Sequence, residues 1–309
     1  MRPMSLLLFL SSFSVNQISG FPLKKDEIDL GRYGNANFLE PSLETGKRVS
    51  EWNEKSQVNP EELGEYLEGD VLFQGGGKNG LVDLSYRWKD GVVPYVIKGP
   101  YKEDDLKAVF NAMDQYHKNT CIRFRRKNAN DTDYIRIQNT KTGCWSSVGR
   151  IGGEQNLNLQ SPGCLSTLGT PIHELMHALG FHHEQTRSDR DDYVTILWEN
   201  ITPGRESNFE KSENGTTTPF GIEYDYGSVM HYSKYAFSKN KKPTIEPKHP
   251  DVKIGQRDGF SKGDLVKLNE MYNCSSVDLN SITTELPIYT TPGTTIIDSI
   301  SEIVNMILG

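Results

Sequence analysis

The sequence predicts an α+β fold of two lobes about a cleft, and three observations carry that expectation. Between Tyr86 and Leu159, short alternating runs surround one helical period, the pattern of a sheet layer with a helix packed on it. A second helical stretch is broken at Gly180. After Asp192 the chain turns irregular, punctuated by Gly and Pro, until Ser261 opens a last helix that ends near Cys274. The expected arrangement is an upper sheet half, a helix at the floor of the cleft, and a lower, mostly irregular half.

In chain order, residues 1–20 begin with Arg2, continue as Leu6-Leu7-Leu8-Phe9-Leu10 and end in Ile18-Ser19-Gly20. This is the pattern of a secretory signal, too short to span a bilayer, so a secreted, extracellular protein is expected. No later stretch reaches the roughly 18 uninterrupted apolar residues of a transmembrane segment. Residues 21–78 are polar, hold seven Lys or Arg against twelve Asp or Glu, and lack cysteine. They read as a pro-segment draped on a folded partner, with little core of its own. The run Gln74-Gly75-Gly76-Gly77-Lys78-Asn79-Gly80 has no strand-to-helix context for a phosphate cradle and reads as an exposed linker.

The net charge of −7 divides unevenly. Residues 1–20 carry +1, 21–78 carry −5 and 275–309 carry −4, which leaves 79–274 at about +1. A nearly neutral central region gives no support for nucleic-acid binding. Within it, Trp88 to Ile97 reads as a turn and a strand. Glu103 to Lys118 sets Leu106, Val109, Phe110, Met113 and His117 at helical spacing. Strands are expected at 121–126, 133–137 and 152–159, and Ser261 with Asp264 three residues on is an N-cap signal.

The chemistry sits in His173-Glu174-Leu175-Met176-His177-Ala178-Leu179-Gly180-Phe181-His182-His183. His173 and His177 stand at i and i+4, so one helix face offers both imidazoles to one metal ion. Gly180 can take a left-handed conformation that turns the chain back and brings a third imidazole. Spacing after Gly180 selects His183 as that ligand, with His182 as the neighbouring competitor. Three nitrogens leave a coordination position open on Zn2+, one per chain, which is the pattern of a catalytic site. Glu174 is placed as the base that takes a proton from the attacking water.

The continuation His183-Glu184-Gln185-Thr186-Arg187-Ser188-Asp189-Arg190-Asp191-Asp192-Tyr193 resembles the astacin family of zinc endopeptidases, in the metzincin group. Cys144-Trp145-Ser146, Ser228-Val229-Met230-His231-Tyr232 and Ile254-Gly255-Gln256-Arg257 share in the resemblance, which spans about Asn79 to Cys274. It implies a two-lobed catalytic domain: a twisted mixed sheet and the zinc helix above an irregular lower half with a C-terminal helix. It also implies that Met230 forms a turn beneath the zinc imidazoles. Tyr232 would be a weak fifth ligand that swings to the developing oxyanion. Leu67-Glu68-Gly69-Asp70 resembles the F-x-G-D motif of astacin pro-segments, with Leu67 in the aromatic position, so Asp70 would fill the open zinc position in the precursor. The same alignment puts the activation cut between Lys78 and Asn79, where a trypsin-like protease could act. The freed amine would then dock toward Glu184.

Four cysteines in an exported chain argue for two disulfides with three possible pairings. The resemblance favours Cys121 with Cys274 and Cys144 with Cys164. Sequons stand at Asn130, Asn200, Asn214 and Asn273. Residues 275–309 are Ser/Thr-rich with Pro287 and Pro292, and end in a short amphipathic stretch without Lys or Arg. The expected partners are extended polypeptide substrates, bound as an added strand near Trp145 to Gly149. Lys253 or Arg257 is placed to meet an acidic residue after the scissile bond, a preference the resemblance implies. The other class in play is a catalytically silent zinc-binding or adhesion protein on the same scaffold, and the presence of both Glu174 and Tyr232 favours the enzyme. No oligomeric state follows from the sequence.

Overall fold

In the computed structural model, residues 40–72, 84–212 and 218–274 are described. The expected leader, the Lys78–Asn79 junction, Asn214 and the tail after Cys274 lie outside the described residues. Among those described, no helix is long and apolar enough to cross a membrane.

The upper lobe is a five-stranded sheet in the order β2-β1-β3-β5-β4. Its strands are β1 (Val92–Lys98), β2 (Arg123–Arg126), β3 (Tyr134–Gln138), β4 (Cys144–Trp145) and β5 (Glu154–Leu159). β2, β1, β3 and β5 run parallel, while β4 pairs antiparallel with β5, so the sheet is mixed and β4 is an edge. Helix α2 (Glu103–Asn119) buries Leu106, Val109, Ala112, Met113 and Tyr116. Most of that face shares one core with Ile135, Ile137, Leu157 and Leu159 of the sheet and Ile172, Leu175 and Met176 of helix α3 (Gly169–Ala178). Tyr116 fixes the two helices to each other by donating its hydroxyl to the Ile172 carbonyl, 2.7 Å away.

The lower lobe has its own core of Val194, Ile196, Phe209, Tyr224, Tyr232 and Ile245, among others. It is less irregular than the sequence suggests. β6 (Val194–Ile196) and β7 (Ile245–Pro247) form an antiparallel pair. Helix α4 (Lys262–Met271) is the last element among the described residues, capped reciprocally by Ser261 and Asp264. Cys274, just beyond it, is bonded to Cys121, and Cys144 to Cys164.

Residues 40–72 carry more structure than their polarity suggests. Helix α1 (Leu43–Glu51) starts at Ser42, whose hydroxyl accepts from the Thr45 amide. The segment then crosses the cleft. Val71 bridges to Ser146 in parallel, with Ser146 donating its amide to the Asp70 carbonyl and Leu72 donating to the Ser146 carbonyl, both at 2.9 Å. The free edge of β4, where an extended substrate is expected, is thus covered by the chain's own backbone.

Candidate metal centre

Helix α3 presents His173 and His177 from successive turns and then stops abruptly. Gly180 has φ +109°, its amide donates to the His177 carbonyl, and the Phe181 amide donates to the Met176 carbonyl. These are the two bonds of a Schellman end, which needs a left-handed residue at the glycine position. The reversal returns His183 to the helix. Ring centroids of His183 lie 5.1 Å from His173 and 4.7 Å from His177.

Each imidazole is oriented through its Nδ1. His173 Nδ1 donates to the Val229 carbonyl at 2.8 Å, and His177 Nδ1 to the Phe181 carbonyl at 2.7 Å. His183 Nδ1 donates to Glu68 Oε2 at 2.9 Å. A carbonyl or carboxylate can only accept, so the proton belongs on Nδ1 and the Nε2 lone pairs are left to converge. They do so around Asp70, which lies 3.0 Å from His173 Nε2 and 3.3 Å from both His177 Nε2 and His183 Nε2. The Nε2 atoms of His173 and His177 are 3.1 Å apart.

This cluster fits zinc. All four residues are buried, and Asp70 Oδ1 and His183 Nε2 have no hydrogen-bond partner. Lone pairs and a carboxylate facing one another repel unless a cation sits among them. A tetrahedral ion at about 2.0 to 2.1 Å from its ligands requires edges of about 3.3 Å, close to the spacings observed. Burial, with the Arg257 charge adding to it, pushes His173 down to about 4, which suits a neutral ligand. Burial acts the same way on His183, but the carboxylates of Asp70 and Glu68 outweigh it and raise that imidazole to about 9, so the pocket favours a positive charge at this point, supplied by a proton or by a metal ion. Burial opposes the charge of Asp70, yet the surrounding imidazoles hold its carboxyl well below the usual range.

Glu174 is fully buried, and neither carboxylate oxygen has a hydrogen-bond partner. Burial, then the charges of Asp70 and Glu61, push its carboxyl well above the ordinary range. Tyr232 is also fully buried, its ring centroid 4.6 Å from that of His183. Its hydroxyl donates to the Glu68 carbonyl. Met230 lies in the upper core, and its carbonyl accepts from the Glu184 amide at 3.0 Å. The turn at 228–230 therefore holds His173 through Val229 and the residue after His183 through Met230. Glu184 itself is fully engaged, by Lys267 at 2.5 Å, Arg187 at 3.0 Å and the Asp225 amide at 2.9 Å.

The other histidines do not join the cluster. His182 Nδ1 is 3.0 Å from Glu68 Oε1, and His231 is bonded to Tyr224 and the Tyr232 carbonyl. His117, on α2, accepts from the Phe124 amide of β2. Of the two cations named beside the cleft, Arg257 is buried and paired with Glu61, while Lys253 is exposed. Sequence reasoning missed Glu61, Glu62 and Glu68, since a polar segment rich in acids gives no sign of which carboxylates will be buried. Glu61 accepts from Arg257 and from Thr170 at 3.1 Å, and Glu62 from the amide and hydroxyl of Ser233 at 2.6 Å. Next to them, a groove of about 890 Å³ runs between Trp52, Asn59, Leu168, Tyr235 and Arg257.

Asn130 and Asn273 are exposed, but Asn200 departs from the pattern of a modified surface residue. It is buried, its amide nitrogen donates to the Pro243 carbonyl at 2.7 Å, and its amide oxygen accepts from Asn240.

Comparison with known proteins agrees with this geometry. The sequence profile of the astacin peptidase family matches residues 81–273. The chain is 43% identical over 232 residues to zinc metalloproteinase nas-13 of Caenorhabditis elegans, covering 74% of this chain and 51% of that protein. It is 44% identical over 212 residues to nas-15 of the same organism, covering 66% and 37%. The chain thus spans about half or less of the length of these two relatives. Among solved structures, it is similar to high choriolytic enzyme 1, a hatching enzyme zinc-protease from the medaka fish Oryzias latipes. The TM-score is 0.56 at 44% identity, covering 61% of this chain and 93% of that one.

Proposed function

The chain belongs to the astacin family of peptidases, and on that premise we propose that it is a secreted zinc endopeptidase made as an inactive precursor. The observation that carries the reading is the convergence of three Nδ1-anchored imidazoles and Asp70 on one point beside the unpartnered carboxyl of Glu174. His173, His177 and His183 would hold the zinc. When bound, that ion would lower the pKa of a water to about 7 and polarise the scissile carbonyl.

The residues around it divide the remaining work. Glu174 takes the proton of the attacking water and passes it to the leaving amine. Its buried site is suited to such shuttling, because a raised pKa makes the carboxyl a better base. Tyr232 donates its hydroxyl to the developing oxyanion, a role supported by burial that keeps the phenol protonated. In the precursor that hydroxyl is spent on the Glu68 carbonyl, and Asp70 occupies the face of the site that a water would need. Residues 21–78 are read as the pro-segment and 79–274 as the peptidase domain, preceded by a signal at 1–20 and followed by a tail. Export is supported by the two disulfides.

Substrate would replace residues 70–72 on the edge of β4, pairing by backbone and so accepting polypeptide in general. Arg257, which already holds the carboxylate of Glu61, is the better of the two cations for an acidic residue just past the scissile bond. The deciding experiment is Glu174→Gln. Zinc content should remain at one per chain while cleavage of a denatured protein falls by at least about a hundredfold, the scale of losing a positioned base. Cleavage near the wild-type rate would end the mechanism. Limited trypsin treatment should give a form beginning at Asn79 with a large gain in activity, and Asp70→Ala should make the uncut chain partly active. Full activity in the untreated wild-type precursor would contradict the latency reading.

A further inference from the structure

The contacts of residues 40–72 do not end at the metal. Helix α1 lies on a surface of the upper lobe made by Lys141–Gly143, Gln160 and Gly163, and the two sides interlock through missing side chains. A Cβ on Gly46 would stand 1.9 Å from the Lys141 carbonyl oxygen. One on Gly143 would stand 2.5 Å from the Thr45 methyl, and one on Gly163 would stand 2.6 Å from a Val49 methyl. Glycine is therefore needed on both partners for the helix to come this close. Val49 is buried in the same core as the bonded pair Cys144 and Cys164.

Polar groups complete the fit. Gln160 accepts from the Gly143 amide and donates to the Gly46 carbonyl, each at 2.8 Å, so one side chain ties the loop to α1. Tyr66, fully buried, accepts from the Ser42 amide at 2.9 Å and donates to the Thr142 carbonyl at 2.7 Å. Glu61 and Glu62 are held by Arg257 and Ser233 of the lower lobe and by Thr170 of α3, and Asn59 donates to the Gly255 carbonyl at 3.2 Å. None of these bonds is made by a zinc imidazole, and none depends on the link through residues 73–83.

We propose that residues 40–72 stay bound after the chain is cut at Lys78 and act as a separable inhibitor, held by a helix-accepting surface that includes none of the zinc imidazoles. The inference rests on reading this stretch as a removable pro-segment. Its physical content is that cutting one peptide bond removes only the effective concentration of an attached ligand, while buried contacts keep their strength. Release then requires a second event, either dilution or a cut inside the segment. Lys47 and Lys55 are exposed, so trypsin can supply that second cut and mask the effect.

The test replaces residues 75–78 of the full precursor with the recognition sequence of a protease that cuts nowhere else in the chain. After complete cutting at micromolar concentration, the wild-type segment should co-elute with the catalytic part in size-exclusion chromatography, and activity should stay below about a tenth of its diluted value. In the same precursor Val49→Asp should weaken retention at least about a hundredfold, since it sets an unpaired charge in the buried contact. Tyr66→Phe, which is milder and preserves the ring, should weaken it about tenfold. Separation of the wild-type segment directly on cutting would overturn the proposal, as would retention of both variants as tightly as the wild type. Co-elution is scored apart from peptidase activity, so failure of the catalytic reading and failure of this one are separate results.

Discussion

His183 and His182 are neighbours with different fates, decided by one glycine. The Schellman end at Gly180 aims His183 at the cluster and leaves His182 to the rim, where Glu68 meets it. His183→Ala should therefore abolish zinc retention after dialysis, while His182→Ala should leave zinc content unchanged. The opposite ranking would move the third ligand. Tyr232→Phe should lower kcat of the activated enzyme by about a hundredfold with little change in KM, because the hydroxyl bond proposed for it forms mainly in the transition state. An unchanged kcat would return Tyr232 to packing alone. At this scale the sequence was highly legible for the imidazoles, whose spacing is the geometry. It gave no role to Glu61, Glu62 or Glu68, because the groups that bond to them lie more than a hundred residues away along the chain.

At the scale of elements, α4 is a support for the metal site. Asp264 caps its N-terminus and also accepts from the Ser228 hydroxyl at 2.6 Å and the Val229 amide at 2.9 Å, so it holds the turn whose carbonyl orients His173. Burial pushes the Asp264 carboxyl up to about 6, and the Asp225 carboxylate adds to it, against Lys267 and the bonds from Ser228 and Val229. An unfolded aspartate titrates at about 3.9, so from about pH 4 to 6 the folded chain keeps a proton that the unfolded chain has lost. The contribution of this group to stability is thus greatest below that window and falls as pH rises through it, by about 1 to 3 kcal/mol. Asp264→Asn should lower stability overall, yet flatten this part of the pH dependence, measured by urea midpoints between pH 4 and 6. A slope equal to wild type would remove the assignment. The Ser261–Asp264 cap was readable in the sequence because its signal is local. Helix α1 was not, since the residues it buries, Thr45, Gly46 and Val49, include a single apolar side chain of any size and make no apolar stripe. β4, β6 and β7, at two or three residues each, are too short for alternation to register.

Across the whole molecule, residues 40–72 touch both lobes, so the described residues pack together where the sequence suggested a domain with a loose cover. The same packing sorts the sequons. Asn130 is exposed in a turn, whereas Asn200 has both amide atoms engaged, and mass spectrometry of the protein expressed through a eukaryotic secretory pathway should find glycan at Asn130 and none at Asn200. A fully occupied Asn200 would contradict the buried placement. The bond between Cys121 and Cys274 spans 153 residues and makes a closed ring of the chain that includes every zinc imidazole. A peptidase is exposed to its own product stream, and any single nick within that ring leaves one covalent molecule. Self-digestion would thus go unseen on a gel run without reductant, and the fragments would part only once the ring is reduced.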